Sequence, residues 1–227
     1  MKMVTAYSGA AMASPRRSRH VRSHSVAALV VCAALLTSCF TGQRPELGGC
    51  AFAEATGRIE IDRVLERLDC VSPELFTADY TVLTRLGDLT STAQVVQAPG
   101  KRSITINMVR HIYDGESMIT CDLSQGTCEG EINEARTSDV LLTSEFYAKA
   151  MAARLRVDAD RRIGDPVASE ITQAGQRALC VDIPVTGGTK RYCALESGAL
   201  AVFDGSDLLI ELTGFSATPN DTAFATS

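Results

Sequence analysis

Two pairs of cysteines bracket turn signals in this chain, and each pair restricts its segment to one local geometry. Cys121 and Cys128 flank DLSQGT, while Cys180 and Cys193 flank VDIPVTGGTKRY, whose TGGT is a strong turn signal. With strands on either side, each pair sits opposite across its own hairpin, where Cα atoms come within the ~4.4–6.8 Å that a disulfide needs.

The surrounding pattern supplies the strands. DYTVLTRL, TSTAQVVQA and RSITINMVRHIY are rich in Thr, Val, Ile and Tyr, and Ile104, Ile106 and Met108 alternate with Ser103, Thr105 and Asn107. A period of two with one apolar face predicts an antiparallel sheet, buried on one side and wet on the other. Pro99-Gly100-Lys101 and Asp114-Gly115 mark joints, and ESMITCDL continues the meander. A second set follows in VASEITQ, RALCVDIPV, KRYCALE, ALAVFD and LLIELTGF.

Two segments carry a helical period. Ile61, Val64, Leu65 and Leu68 recur at i, i+3, i+4 and i+7, which predicts a helix from about Arg58 to Asp69. Ser138 to about Val157 reads as one long helix, capped by Ser138 or Asp139, with Leu141, Leu142, Phe146, Met151 and Leu155 as its apolar stripe. VSPELF reads as a turn or short helical piece. The tail beyond Ser216, residues 217–227, is small and polar and is expected to be disordered. Strands, a helix, then strands again make one α+β domain over residues 58–216.

The N-terminus reads differently. Residues 1–38 contain Lys2, Arg16, Arg17, Arg19 and Arg22 and no acid, so removing these five positive charges takes the formal charge from −5 to −10. An acidic remainder lacks the excess Lys and Arg that nucleic acid or a polybasic membrane patch requires, so no nucleic-acid partner is expected. RRSRHVR followed by SVAALVVCAALL has the order of a secretion signal, a positive segment and then an apolar run. At ~1.5 Å per residue that run spans roughly 18 Å, short of a bilayer core of ~30 Å. Leu36-Thr37-Ser38-Cys39 resembles the bacterial lipobox. That resemblance implies a signal peptide over residues 1–38, a diacylglyceryl group on the Cys39 thiol, and a cell-membrane, extracytoplasmic location for a lipid-anchored protein. Residues 39–57, with TGQRPELGG, then read as the lipidated start and a flexible tether.

Export also organises the remaining cysteines. Of eight in the chain, Cys32 lies in the signal and Cys39 takes the lipid, leaving Cys50, Cys70, Cys121, Cys128, Cys180 and Cys193. An even number in an oxidising compartment reads as a disulfide set. Cys50 and Cys70 then pair by elimination.

The order of elements, with a strand meander carrying YDGESMITCDLSQGTC and a last meander ending LLIELTGF, resembles actinobacterial lipoproteins of the LolA-like fold, the LppX/LprG type. The resemblance covers roughly Arg58 to Phe215. It implies a curved, unclosed antiparallel half-barrel with the N-terminal and mid-chain helices on its concave side, and a cavity for a lipid or other hydrophobic ligand. Leu141, Leu142, Phe146, Met151 and Leu155 from the helix and Ile104, Ile106 and Met108 from the sheet are the candidate lining. The paired hairpin cysteines depart from that carrier pattern. The competing reading is a disulfide-stabilised surface lipoprotein, an interaction or sensory module without a ligand cavity; the sequence leaves the oligomeric state open, with a monomer favoured.

Catalytic chemistry finds little support. His111 is the one histidine outside residues 1–38 and reads as a surface or hairpin-end residue, with no GxSxG elbow to accompany it. Asp158, Asp160 and Asp165 in DADRRIGD lack the ligand steps of a calcium loop and read as a solvated turn. No CxxC is present, so no metal site and no cofactor is expected. VTGGTK joins two strands without a helix N-terminus and is a hairpin turn rather than a phosphate loop. Glu129, Glu131 and Glu134 lie in a loop without the opposed geometry of a glycosidase. The chain is therefore not expected to be an enzyme.

Overall fold

The computed structural model describes residues 55–69, 75–115 and 117–226. Within them, one antiparallel sheet of 11 strands carries two α-helices, an α+β arrangement. The first meander runs β1 (Phe76–Thr84), β2 (Leu89–Ala98), β3 (Lys101–Ile106), β4 (Val109–Asp114), β5 (Ser117–Asp122) and β6 (Thr127–Glu129). The second runs β7 (Val167–Gln173), β8 (Gln176–Val185), β9 (Gly188–Leu195), β10 (Leu200–Asp204) and β11 (Leu208–Ser216). The spatial order is β6-β5-β4-β3-β2-β1-β11-β10-β9-β8-β7, unclosed, with β6 and β7 at the edges.

Every strand neighbours its sequence neighbour except at one seam, where β1 pairs with β11 from Thr77 opposite Ser216 to Thr84 opposite Leu208. A bulge interrupts this register between Asp79 and Tyr80. Tyr80 faces Leu212 while Ala78 faces Phe215, so the bulge absorbs one residue and turns both Leu212 and Phe215 to the core side. Phe215 accordingly stacks on Phe76 with ring centroids 5.8 Å apart. The far end of the second meander curls back, since Gln173 Nε2 in β7 donates to the Leu212 carbonyl in β11 at 2.8 Å.

RSITINMVRHIY is a hairpin and not one strand. Ile106 pairs with Val109, and Asn107 adopts a left-handed backbone (φ 51°) that an asparagine tolerates in a tight turn. Its side-chain Oδ1 accepts the Thr92 N–H at 3.1 Å, which fixes the turn against β2. The Pro99-Gly100 and Asp114-Gly115 joints and the turn before Gly188 sit where their composition places them, with Gly100 at φ 72°.

α1 (Ile59–Asp69) buries the stripe Ile61, Val64, Leu65 and Leu68, with Glu60 and Asp62 in its first turn and Arg67 in its last, matching the helix dipole. The expected long helix over 138–157 is replaced by two pieces. Glu134–Val140 is a 3-10 turn, Leu141 follows in the left-handed region at φ 57°, and α2 begins only at Lys149 and runs to Asp160. A continuous helix presents one stripe, whereas here Val140, Leu142, Phe146 and Tyr147 all enter the core from irregular backbone. The Tyr147 carbonyl accepts the Leu200 N–H at 2.8 Å, a bond to the sheet that an unbroken helix would have spent within itself.

Charged side chains anchor α2. Asp158 is buried, accepting Lys190 Nζ at 3.0 and 2.8 Å and the Tyr192 hydroxyl at 2.5 Å, so it belongs to the interior and not to a solvated turn. Burial first, and the Asp158 carboxylate second, push the Tyr192 phenol well above its ordinary range. Arg156 pairs with Asp69 of α1, and Arg154 pairs with Asp207 while lying over the Phe203 ring at 4.6 Å.

The tail expected to be disordered is docked. Asn220 caps a 3-10 turn over Asp221–Phe224, its backbone N–H donates to Thr77 Oγ1 at 2.9 Å, and Thr77 Oγ1 donates to the Thr218 carbonyl at 2.9 Å. Lys101 Nζ lies 4.3 Å above the Phe224 ring. These contacts cover the face of β2–β5 opposite the main core, where Val96, Ala98, Ser103, Ile112 and Cys121 are buried with Ala223. Small polar composition misled because Ala223 and Phe224 are used in a local patch too short to leave a periodic signal. Truncation after Ser216 should therefore lower stability by about 2 kcal/mol, a fall of ~4–8 °C in melting temperature for a domain of this size. Thermal melts of full-length and truncated protein check it, and an unchanged melt would mean that the patch needs no cover.

Candidate functional site

The nominated lining residues come together, with two exceptions. Ile104, Ile106, Leu142, Phe146, Met151 and Leu155 belong to one buried cluster between the sheet and the Glu134–Asp160 stretch. Tyr80 and Phe146 meet edge to face at 5.2 Å, and Phe76 and Tyr147 at 6.4 Å. Met108 and Leu141 are 52% and 48% exposed, the first because it occupies the β3–β4 turn, the second because its left-handed backbone rotates it away from the core. Ile104, Phe146 and Leu155 have 0, 1 and 0% exposure and lie in the packed interior.

A polar network that the sequence did not reveal ties the irregular segment to the sheet. Both Glu134 carboxylate oxygens accept the Ser144 N–H at 3.0 Å, and Oε1 accepts the Ser144 hydroxyl at 2.6 Å. With its proton committed to Glu134, Ser144 Oγ is the acceptor for the Tyr113 hydroxyl at 2.7 Å. Arg102 stacks over Tyr113 at 3.9 Å and pairs with Glu145 at 2.9 Å. Sequence spacing between β3, β4 and this segment carries no trace of the arrangement.

His111 is fully buried on the same face, contrary to its reading as a surface or hairpin-end residue. Its position opposite Ile104 in the β3–β4 register puts it on the core face, within reach of the Glu134 charge at the start of the 3-10 turn. Thr120 Oγ1 donates to the Glu131 carbonyl at 2.8 Å, so His111 Nδ1 must supply the proton of its own 3.2 Å contact with Thr120. That leaves Nε2 unprotonated and without a partner. Burial lowers the His111 pKa, opposed in part by the Glu134 charge.

Cys121–Cys128 and Cys180–Cys193 are disulfides, each joining directly opposed residues of a hairpin with Cα atoms 4.0 Å apart. Cys39, Cys50 and Cys70 lie outside the described residues. Among the described residues no group of three or more His, Cys, Asp or Glu side chains is placed to hold a metal ion, and no helix is long and apolar enough to cross a membrane. A cleft of about 360 Å³ between α1 and β8 is lined by Arg63, Glu66, Arg67, Leu179 and Glu196. Its continuation adds Glu170 and Arg177, which pair with each other, so the charges of the cleft balance. Among models of known protein families and among curated proteins, none matches this chain.

Two outcomes follow from these environments. Cys128 is exposed on a three-residue edge strand, whereas Cys180 and Cys193 are fully buried. Brief reduction under native conditions followed by alkylation and peptide mapping should modify Cys121 and Cys128 while Cys180–Cys193 stays linked. For His111, a folded pKa below the unfolded value of ~6.5 means that the unfolded state binds more protons between the two, so its contribution is complete above ~6.5 and is lost as pH falls. Melting temperature should drop between pH 7.5 and 5.5, and His111→Gln should flatten that drop. Parallel slopes in the two proteins would remove His111 as its cause.

Proposed function

We propose that this chain is a lipid-anchored extracytoplasmic lipoprotein of the LolA-like kind, held to the membrane through Cys39, whose domain acts as a rigid surface binding module. The observation that carries the second half is the 0, 1 and 0% exposure of Ile104, Phe146 and Leu155. The side chains that a carrier would turn toward an acyl chain are packed against one another instead. The two hairpin disulfides support the location, since such bonds persist in oxidising compartments.

The carrier reading retains one supporting feature. Val140, Leu142, Phe146 and Tyr147 enter the core from a segment that is irregular and pinned by the Glu134–Ser144–Tyr113 bonds, a plug that is separate from α2. Were it displaced, an apolar trough over β1–β3 would open.

Two measurements decide these points. Cys39→Ala should shift the protein out of the membrane fraction, and an unchanged distribution would end the anchor proposal. Organic extraction of protein purified from its native membrane, followed by mass spectrometry, should yield no stoichiometric lipid beyond the covalent anchor. A stoichiometric non-covalent lipid would favour the carrier and overturn the solid-core module.

A further inference from the structure

The face of the sheet opposite α1 and α2 holds a second groove, of about 350 Å³, on β1–β4 beside the docked tail. One cross-strand row forms its floor. Asp79 lies opposite Gln94, Gln94 opposite Thr105, and Thr105 opposite Arg110. Thr81 and Thr92 face each other in the adjoining row. Apart from Asp79 and Arg110, these side chains carry hydroxyls or amides that both donate and accept, and none is an aromatic platform of the kind on which a sugar ring stacks.

The two ends of the row carry opposite charges, and neither belongs to any ion pair among the described residues. Asp79 Oδ1 accepts from Gln94 Nε2 at 2.8 Å. Its other oxygen borders Gly214, where a side chain would come to 3.0 Å, so glycine at the bulge keeps that oxygen open. At the opposite end, Arg110 Nε donates to Thr105 Oγ1 at 3.1 Å, and Nη1 reaches the Thr222 and Ala225 carbonyls at 3.5 and 3.3 Å. The guanidinium is therefore held in place by neutral groups, and burial lowers its pKa with no carboxylate to offset the lost water.

Three strand spacings of ~4.8 Å separate the Asp79 and Arg110 backbones, roughly 14 Å. Arg110 leans back over Thr105 of the next strand, so the charged groups lie closer than the backbones while forming no ion pair, and an extended chain of about three residues at ~3.3–3.6 Å each bridges them. We propose that this groove binds a short peptide with free termini, its ammonium group on Asp79, its carboxylate on Arg110 and its amides over Gln94, Thr105 and Thr92. The site lies on the face opposite the plug and is independent of whether the core accommodates a lipid.

Titration calorimetry on the full chain in non-ionic detergent at low salt tests this with tri-L-alanine, its N-acetyl amide and sodium sulfate. Trialanine should bind saturably at one site. Blocking both termini should weaken binding at least about tenfold, which is ~1.4 kcal/mol, and Asp79→Asn and Arg110→Gln should each do the same. Because Arg110 also touches the tail, Asp79→Asn is the variant that separates ligand recognition from tail docking. Absence of saturable binding, equal affinity for the blocked peptide, sulfate binding as tight as trialanine, or full affinity in Asp79→Asn would each overturn the proposal.

Discussion

The pairing of β1 with β11 is the contact on which the rest of the molecule depends. All other strand pairs join neighbours in sequence and close short loops, so their entropic cost is small. The β1–β11 seam joins residues some 130 positions apart, from Thr77–Ser216 to Thr84–Leu208, and converts two meanders into one sheet. Its register is set by side-chain alternation. A one-residue slip would turn Phe76, Ala78, Tyr80 and Val82 away from α1, α2 and the plug. The bulge at Asp79 and Tyr80 reconciles this register with Phe215, and it also leaves Asp79 prominent on the other face. One irregularity thus serves the core on one side and the polar groove on the other.

Above the seam, the segment between the two meanders is held by polar contacts as much as by apolar ones. Asp158 is nearly inaccessible yet accepts three hydrogen bonds from Lys190 and Tyr192, which turns a buried charge from a liability into a positional constraint on α2. The half-buried Glu134 holds the plug through Ser144, whose hydroxyl oxygen in turn meets the Tyr113 hydroxyl. Loss of Lys190 or Tyr192 would leave the buried Asp158 charge short of donors, so these contacts specify the arrangement more than they add to net stability.

The residues of the candidate core were largely legible in the sequence. Period two identified the strands around Ile104 and Ile106, and period 3.6 identified α1, because each strand or helix there has one buried and one wet side. The same logic failed over 138–157. Leu141, Leu142, Phe146 and Met151 match a helical stripe, but a left-handed Leu141 and a backbone bond from Leu200 to Tyr147 divide the segment. Met108 failed for a related reason: alternation continues through a two-residue turn on paper, while the turn reverses the chain in space. His111 shows the opposite error, a polar residue buried because the β3–β4 register turns it to the core face beside Thr120.

By itself, the sequence determined the hairpins at Pro99-Gly100, at Asp114-Gly115 and at the two cysteine pairs, which are written in local turn chemistry, local alternation and cysteines within reach of each other, whereas the Asn107-Met108 turn left no such signal. It also determined the acidic character of everything after residue 38. Only the tertiary structure decided which faces are covered, because coverage depends on segments far apart in the chain. The docked tail over Val96 and Ile112, the plug over Ile104, and the unpaired Asp79 and Arg110 at the two ends of one row all arise from register and packing. Those are cooperative properties of the assembled sheet, and no window of neighbouring residues encodes them.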